Sequence, residues 1–239
     1  MHSIPSYFVL YFKIMLTDKI PVFWSLIFPL ILAFVFGSRL DFTESRFLSF
    51  LALFWGYILL SIYVNSIGLQ LARMREYGLM KTYIMISGSK MGCILALVLV
   101  QLVFATISLT IFTTILMLVF GFFSLSTLSM AYLVLILSIP FALASIALTM
   151  LPAKISSMAT LLNIVMYPLF LFANSQPDRW YSYINPFYSI KAVGTSVIPL
   201  STTMNATPSL LLVSVMLLIY LILGIFAITR FNPMSLLTR

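Results

Sequence analysis

Residues 91–122 read MGCILALVLVQLVFATISLTIFTTILMLVFGF, a run without a single charged side chain. About 20 apolar residues in a helix cross the hydrocarbon core of a bilayer, so this run is longer than one crossing needs. We therefore expect a transmembrane helix that tilts or protrudes. A transmembrane β-barrel is excluded, because its strands are short segments of about 10 alternating residues.

The rest of the chain has the same character. Hydrophobic residues make up 62% of its 239 residues and charged residues 8%, with a mean hydropathy of +1.15. Soluble domains carry about 25% charged residues, so lipid must be the solvent for most of this chain. Helices are then the spanning structure that satisfies the backbone. The sequence predicts an all-α integral membrane protein with a single transmembrane domain over residues 1–239.

Six transmembrane helices are predicted from the apolar runs. An interfacial helix within residues 1–19 precedes the first of them, and Pro29 should kink that first helix. A charged cytoplasmic loop at 73–90 and a non-spanning segment at 176–207 interrupt the pattern. The predicted spans are roughly 20–38, 47–72, 91–122, a fourth that follows a turn at 121–129 and ends near Leu151, 155–175 and 208–229.

Basic residues are distributed unequally between the two sides of this topology. Cytoplasmic segments carry an excess of Lys and Arg, and nine of the 13 lie on the side of the 73–90 loop and both termini. We therefore expect a multi-pass protein of the cell membrane with cytoplasmic termini. The nine are Lys13, Lys19, Arg73, Arg75, Lys81, Lys90, Lys154, Arg230 and Arg239, against Arg39, Arg46, Arg179 and Lys191 on the outer side.

Several function classes are disfavoured by what the sequence lacks. No phosphate-binding loop occurs, so the chain cannot bind ATP in the usual way. With one cysteine, Cys93, and one histidine, His2, a Cys/His zinc site within the chain is impossible. No ionisable residue lies mid-span, which argues against a proton-coupled antiporter. The net charge of +8 reflects span-flanking residues rather than nucleic-acid binding. We expect no catalytic residues, no cofactor and no metal on this chain.

Polar residues inside the spans form stripes. Positions three, four or seven apart share one face of a helix. Such stripes either hold helices together or line a pathway for an amphiphilic substrate, and the pattern leaves both open. They comprise Tyr57, Ser61, Asn65 and Gly68 on the second span, Gln101 and Ser108 on the third, and Ser156, Thr160, Asn163, Tyr167 and Asn174 on the fifth.

The 73–90 segment has a pattern of its own. Leu79, Tyr83 and Ile86 could share an apolar helix face, and Gly88 suits the end of that helix. The segment is either a solvated basic loop or a short amphipathic helix that docks onto a soluble partner.

Two local sequence motifs are similar to those of a known family of membrane proteins. Arg75, Glu76 and Gly78 lie in the loop after the second span. A second motif follows the fifth span and consists of Pro177, Trp180, Asn185, Pro186, Phe187 and Tyr188. With the six-span layout, these motifs resemble the permease subunits of type-2 ABC exporters over nearly the whole chain.

The resemblance implies a function and a set of roles. Two permeases, identical or homologous, would work with two cytoplasmic ABC ATPase subunits that bind ATP and Mg²⁺. Residues 74–87 would couple to the ATPase through Arg75, Glu76, Gly78, Tyr83 and Ile86, and residues 177–200 would form short re-entrant helices outside. Spans two and five would line the dimer interface. Within the family, compact subunits of this size often export drugs, peptide antibiotics or lipid-like compounds, so the resemblance implies a bacterial exporter of an amphiphilic substrate.

Two other functions stay open. One is a membrane scaffold or assembly protein without transport, and the other is an intramembrane enzyme that modifies lipids. Co-purification with an ABC ATPase would favour the exporter.

Overall fold

The computed structural model describes residues 3–17, 19–151, 153–175, 179–198 and 210–232. Of these residues 89% are helical and none is in a strand, which confirms the predicted all-α class. The helices are α1 (Ser3–Thr17), α2 (Lys19–Val22), α3 (Phe28–Gly37), α4 (Glu44–Ser61), α5 (Leu69–Glu76), α6 (Leu79–Ser87), α7 (Lys90–Phe120), α8 (Leu125–Leu137), α9 (Ile139–Ala144), α10 (Ile155–Ser175), α11 (Pro186–Val197) and α12 (Leu210–Arg230).

Short π-helices and 3-10 helices lie between several of these α-helices. Phe23–Ile27 is a π-helix between α2 and α3, and Ile62–Gly68 is a π-helix between α4 and α5. Ser145–Met150 and Trp180–Ile184 are 3-10 helices. Because π turns accompany distortions of an α-helix, the two π segments mark departures from regular geometry in neighbouring helices.

Four helices are long and apolar enough to cross a bilayer, and a bent pair makes a possible fifth among the described residues. The four are Glu44–Glu76, Lys90–Phe120, Ile155–Asn174 and Leu210–Arg230. The bent pair joins Leu125–Leu137 to Ile139–Met150 at 40°. These helices make the chain a multi-pass, membrane-embedded protein, and they coincide with predicted spans two to six. The predicted turn at 121–129 is shorter, because α8 already begins at Leu125.

The region of the predicted first span is helical but short as an apolar helix. Phe23–Gly37 contains 15 residues, fewer than the roughly 17–25 that a helix needs to cross the hydrocarbon core. Pro29 is the second residue of α3 and follows the π-helix directly, so its missing N–H falls where the continuous helical stretch already departs from regular α-helix geometry.

The centre of the molecule forms around α4, which is buried along most of its length. Helix α11 lies against it, and the contact depends on small residues. A Cβ on Gly194 would come within 2.8 Å of the Ala52 Cβ. Trp55 donates a hydrogen bond of 2.9 Å from Nε1 to Thr113 Oγ1 on α7, so polar groups join the central helices as well as apolar packing.

Helices α10 and α12 lie at the periphery. Only 22% of the most apolar 18-residue stretch of α10, and 17% of the corresponding stretch of α12, is buried within the chain. Lipid or another protein must cover these faces, because an apolar helix surface of this size is unfavourable in water.

Candidate functional site

Three cavities lie in a row between residues 19–37, the continuous helix 44–76 and α10. Their volumes are about 130, 320 and 630 Å³. On each helix the residues that line them follow one another in order, and Trp24 and Asn163 border both the first and the second cavity, so we refer to the row as the groove. On the central helix the residues that line the groove extend from Arg46 to Arg73, on the order of 40 Å at 1.5 Å per residue. That length matches the thickness of a bilayer including its headgroup regions, about 40–45 Å.

The cavity at the Arg73 end of the groove is rich in amides. Asn65, Gln101 and Asn163, which come from three different predicted spans, line it together. Gln101 Oε1 and Ser66 Oγ are buried and have no hydrogen-bond partner among the residues that the structure describes. Since buried polar atoms are normally paired, these two atoms are available to water or to a polar ligand.

The middle cavity combines aromatic rings with hydroxyl groups. Trp24, Phe28, Tyr57 and Tyr167 line it together with Ser61, and Asn163 borders both this cavity and the preceding one. Ser61 Oγ donates to the Trp24 carbonyl oxygen at 3.5 Å. Ser61 Oγ also accepts a hydrogen bond from Asn65 Nδ2 at 3.4 Å. Through Ser61, the stripe on the second span is thus connected to the π-helix Phe23–Ile27.

The cavity at the Arg39 end is the largest of the three. Its polar residues include Arg39, Asp41 and Arg46 near the start of α4, Asn174 at the end of α10 and Lys191 on α11. Its apolar residues include Phe42, Phe50, Phe54 and Phe170, whose rings contact one another with centroids 4.8–5.4 Å apart. This end of the groove is therefore basic at its rim and aromatic inside.

The predicted stripes are brought together in part. The residues that line the groove are Tyr57, Ser61, Asn65, Gln101, Asn163, Tyr167 and Asn174. Gly68 instead packs against the 3-10 helix, where a Cβ would lie 2.7 Å from the Ser145 carbonyl oxygen. Ser108 is buried away from the groove. Ser156 and Thr160 face outwards on α10, where Thr160 Oγ1 donates to the Ser156 carbonyl oxygen.

The predicted coupling segment forms a sharp corner. Gly78 has φ +72°, a left-handed conformation that favours glycine, and it separates α5 from α6. Gly88 ends α6 in the same conformation, as the sequence indicated. The segment 79–87 is thus a short helix rather than an irregular loop.

Glu76 binds a backbone group at the start of α10, and Arg75 binds one at the end of the 3-10 helix that precedes it. Glu76 Oε2 accepts a hydrogen bond of 2.8 Å from the backbone N–H of Ile155, the first residue of α10. A carboxylate is favourable at a helix N-terminus because it faces unpaired N–H groups. Arg75 is 8% exposed, and its Nη2 lies 3.4 Å from the Leu151 carbonyl oxygen. The corner is therefore attached to the helix that forms one wall of the groove.

The two faces of α6 differ. Tyr83 packs against Tyr7 and Tyr11 of α1, and Tyr7 Oη donates to the Tyr83 carbonyl oxygen at 2.7 Å. Ile86 is 77% exposed and Leu79 is 42% exposed. The three residues thus do not present one common surface, because Tyr83 belongs to the side that α1 covers.

The motif after the fifth span connects α11 to α10. Asn185 Oδ1 accepts from the Phe187 N–H at 3.1 Å and so caps α11, while Asn185 Nδ2 donates to the Leu169 carbonyl oxygen at 2.8 Å. Pro186 occupies the first position of α11, which suits proline. Tyr188 is buried, Trp180 is exposed, and Pro177 lies outside the described residues.

Two features of the site escaped the sequence reasoning. The convergence of Arg39 and Arg46 with Lys191 was missed, since about 150 positions separate them in the chain. The contact between Glu76 and Ile155 was missed because it joins the predicted cytoplasmic loop to the start of the fifth span, 79 positions away. The charges themselves were visible, but nothing in the sequence indicated which of them meet.

Comparisons of the chain with protein-family models, with curated proteins and with solved structures found no match.

Proposed function

We propose that this chain is the membrane-spanning subunit of an ATP-driven exporter of the type-2 ABC class. The observation that carries the proposal is the row of three cavities, which extends for about the thickness of a bilayer including its headgroup regions. Ligand sites in membrane bundles are built from polar groups that face the bundle interior, as the amides of this groove do.

The groove suits an amphiphilic substrate. The amides of Asn65, Gln101 and Asn163 can form hydrogen bonds with the polar part of such a molecule, and the rings of Phe28 and Tyr57 can contact its apolar part. Helix α10 contacts the rest of the chain over only a small part of its surface, so a molecule from the bilayer can enter the groove beside this helix. Drugs, peptide antibiotics and lipid-like compounds share this chemistry.

ATP-driven motion reaches the groove through the α5–α6 corner in this proposal. The sequence has no phosphate-binding loop, so ATP and Mg²⁺ bind to a separate cytoplasmic ATPase. The exposed side chains of Ile86 and Leu79 offer that partner an apolar contact. Because Glu76 binds the first residue of α10, a displacement of the corner moves a wall of the groove.

The topology proposed here counts six spans. Residues 19–37 form the first, the bent pair α8–α9 with its 3-10 extension forms the fourth, and both termini are cytoplasmic. The segment with Trp180 and α11 is outside and re-entrant. A second permease covers the exposed face of α10 that bears Ser156 and Thr160.

Cysteine labelling tests the orientation. In a Cys93→Ala background, we expect Trp180→Cys to react with a membrane-impermeant maleimide in intact cells and Lys81→Cys to react only after permeabilisation. Both side chains are exposed, so accessibility on the correct side is not limited by burial. Labelling of Lys81→Cys in intact cells would reverse the proposed topology.

Photo-crosslinking tests the exporter itself. A photoreactive residue at position 86 should form an adduct with a subunit that hydrolyses ATP, whereas the same residue at buried position 80 should not. In vesicles that contain both subunits, Asn163→Leu should reduce ATP-dependent substrate movement. Thr110→Val, a polar-to-apolar change outside the groove, should not. An adduct without ATPase activity, together with unchanged transport in Asn163→Leu, would favour the scaffold instead.

A further inference from the structure

The cavity at the Arg39 end brings together cations from three separate parts of the chain. Arg39 comes from the segment between α3 and α4, Arg46 from the first turn of α4, and Lys191 from α11. Asp41 is the acidic residue among the described residues that line it. Three cations against one carboxylate leave an excess of two positive charges at one cavity.

The cations at the rim are available to a ligand. The side chains of Arg39 and Arg46 are exposed, and within the described ranges neither forms a hydrogen bond or an ion pair with the protein. Lys191 is half-buried, and its Nζ lies 3.4 Å from the Ala173 carbonyl oxygen, a long hydrogen bond. Desolvation lowers the pKa of Lys191 from its ordinary value. An anion at the cavity would offset that cost, because it stabilises the protonated amine.

The inner part of the cavity is apolar. Phe42, Phe50, Phe54 and Phe170 form a continuous set of ring contacts there. The volume of about 630 Å³ lies within the range of about 300–1,000 Å³ that small-molecule sites occupy. A free inorganic anion would leave most of this space and the rings unused.

We infer that this cavity binds an amphiphile with an anionic headgroup, which contacts Arg39, Arg46 and Lys191 while the apolar part lies against the phenylalanine rings. Guanidinium groups match the geometry of phosphate and carboxylate oxygens, so either headgroup fits. An acidic lipid of the membrane and an exported amphiphile share this chemistry. The inference does not depend on transport, because binding requires neither ATP nor a partner.

Native mass spectrometry of the whole chain in a nonionic detergent tests the inference. The probes are dioctanoyl phosphatidic acid, dioctanoyl phosphatidylcholine of equal chain length, and inorganic phosphate. Wild-type protein should retain one phosphatidic acid about tenfold better than phosphatidylcholine. Arg46→Gln and Lys191→Gln should each reduce this retention about fivefold, the effect expected for one cation near a lipid headgroup.

Two further variants guard against misfolding and against an effect of total charge. Asp41→Asn removes the opposing carboxylate and should increase retention of phosphatidic acid severalfold, a gain that an unfolded protein cannot imitate. Lys81→Gln lowers the net charge equally on α6, away from the cavity, and should leave retention unchanged.

Three results would overturn the inference. The first is equal retention of the two lipids by wild-type protein. The second is unchanged retention of phosphatidic acid in both Arg46→Gln and Lys191→Gln. The third is displacement of phosphatidic acid by inorganic phosphate at the same concentration, which would reveal a site for a simple anion.

Discussion

The carboxylate of Glu76 should hold the start of α10 in place, and Glu76→Ala should release it. Its hydrogen bond to the Ile155 N–H is 2.8 Å long. A hydrogen bond to a charged group contributes about 1.5–3 kcal/mol. Because Glu76 is half-buried, we expect the lower part of that range, about 1.5–2 kcal/mol, for local opening of the helix. This corresponds to a roughly tenfold to thirtyfold increase in the open fraction.

Hydrogen–deuterium exchange of residues 155–161 in detergent measures that opening directly, without any partner protein. Glu76→Gln keeps an oxygen acceptor but loses the charge, so its effect should be smaller than that of Glu76→Ala. Glu44→Ala removes a carboxylate from the first turn of α4 and should leave exchange at 155–161 unchanged. Exchange in Glu76→Ala within about threefold of wild type would refute the role that the hydrogen-bond energy predicts.

Two further predictions concern the packing of the central helices. Thr113→Val removes the acceptor of the Trp55 indole N–H and should lower the free energy of unfolding in mixed micelles by about 0.6–2 kcal/mol. Thr229→Val, at an exposed site, should change the free energy by less than about 0.5 kcal/mol, and equal effects of the two variants would contradict the assignment. Gly194→Ala places a Cβ 2.8 Å from the Ala52 Cβ and should cost about 1–3 kcal/mol. The double variant with Ala52→Gly should recover most of that loss, and a failure to recover would point to another cause.

The helices themselves were largely predictable, since each is an apolar run with identifiable ends. Ile155–Ser175 matches the predicted fifth span at both bounds, and α7 differs from the predicted third span by one or two residues at each end. Gly88 was correctly placed at a helix end, because glycine adopts the left-handed conformation at little cost. The number of membrane spans and their topology were harder to predict, because residues 23–37 are apolar but form only a short helix.

The contacts between helices were less predictable from the sequence than the helices themselves. Spacing along one helix establishes which residues share a face, and Asn163 and Asn65 indeed reach one cavity. It does not establish what covers that face. Ser156 and Thr160 belong to the same stripe as Asn163 but lie beyond the groove, because none of the helices that the structure describes packs against the start of α10 on that side.

The π-helix Ile62–Gly68 has a consequence for how the length of this protein can change over evolutionary time. A π turn closes its hydrogen bonds over five residues instead of four and so accommodates one residue more than an α turn. Loss of one residue within 62–68 would convert the segment to an α-helix while α4 and α5 keep their own neighbours. The same loss would rotate Asn65 and Ser66 relative to Gln101 and Asn163. Descendants of this chain that are shorter by one residue at this position would keep the helical architecture but lose the amide cluster. A deletion here can therefore change the polar lining of the cavity while the fold is inherited unchanged.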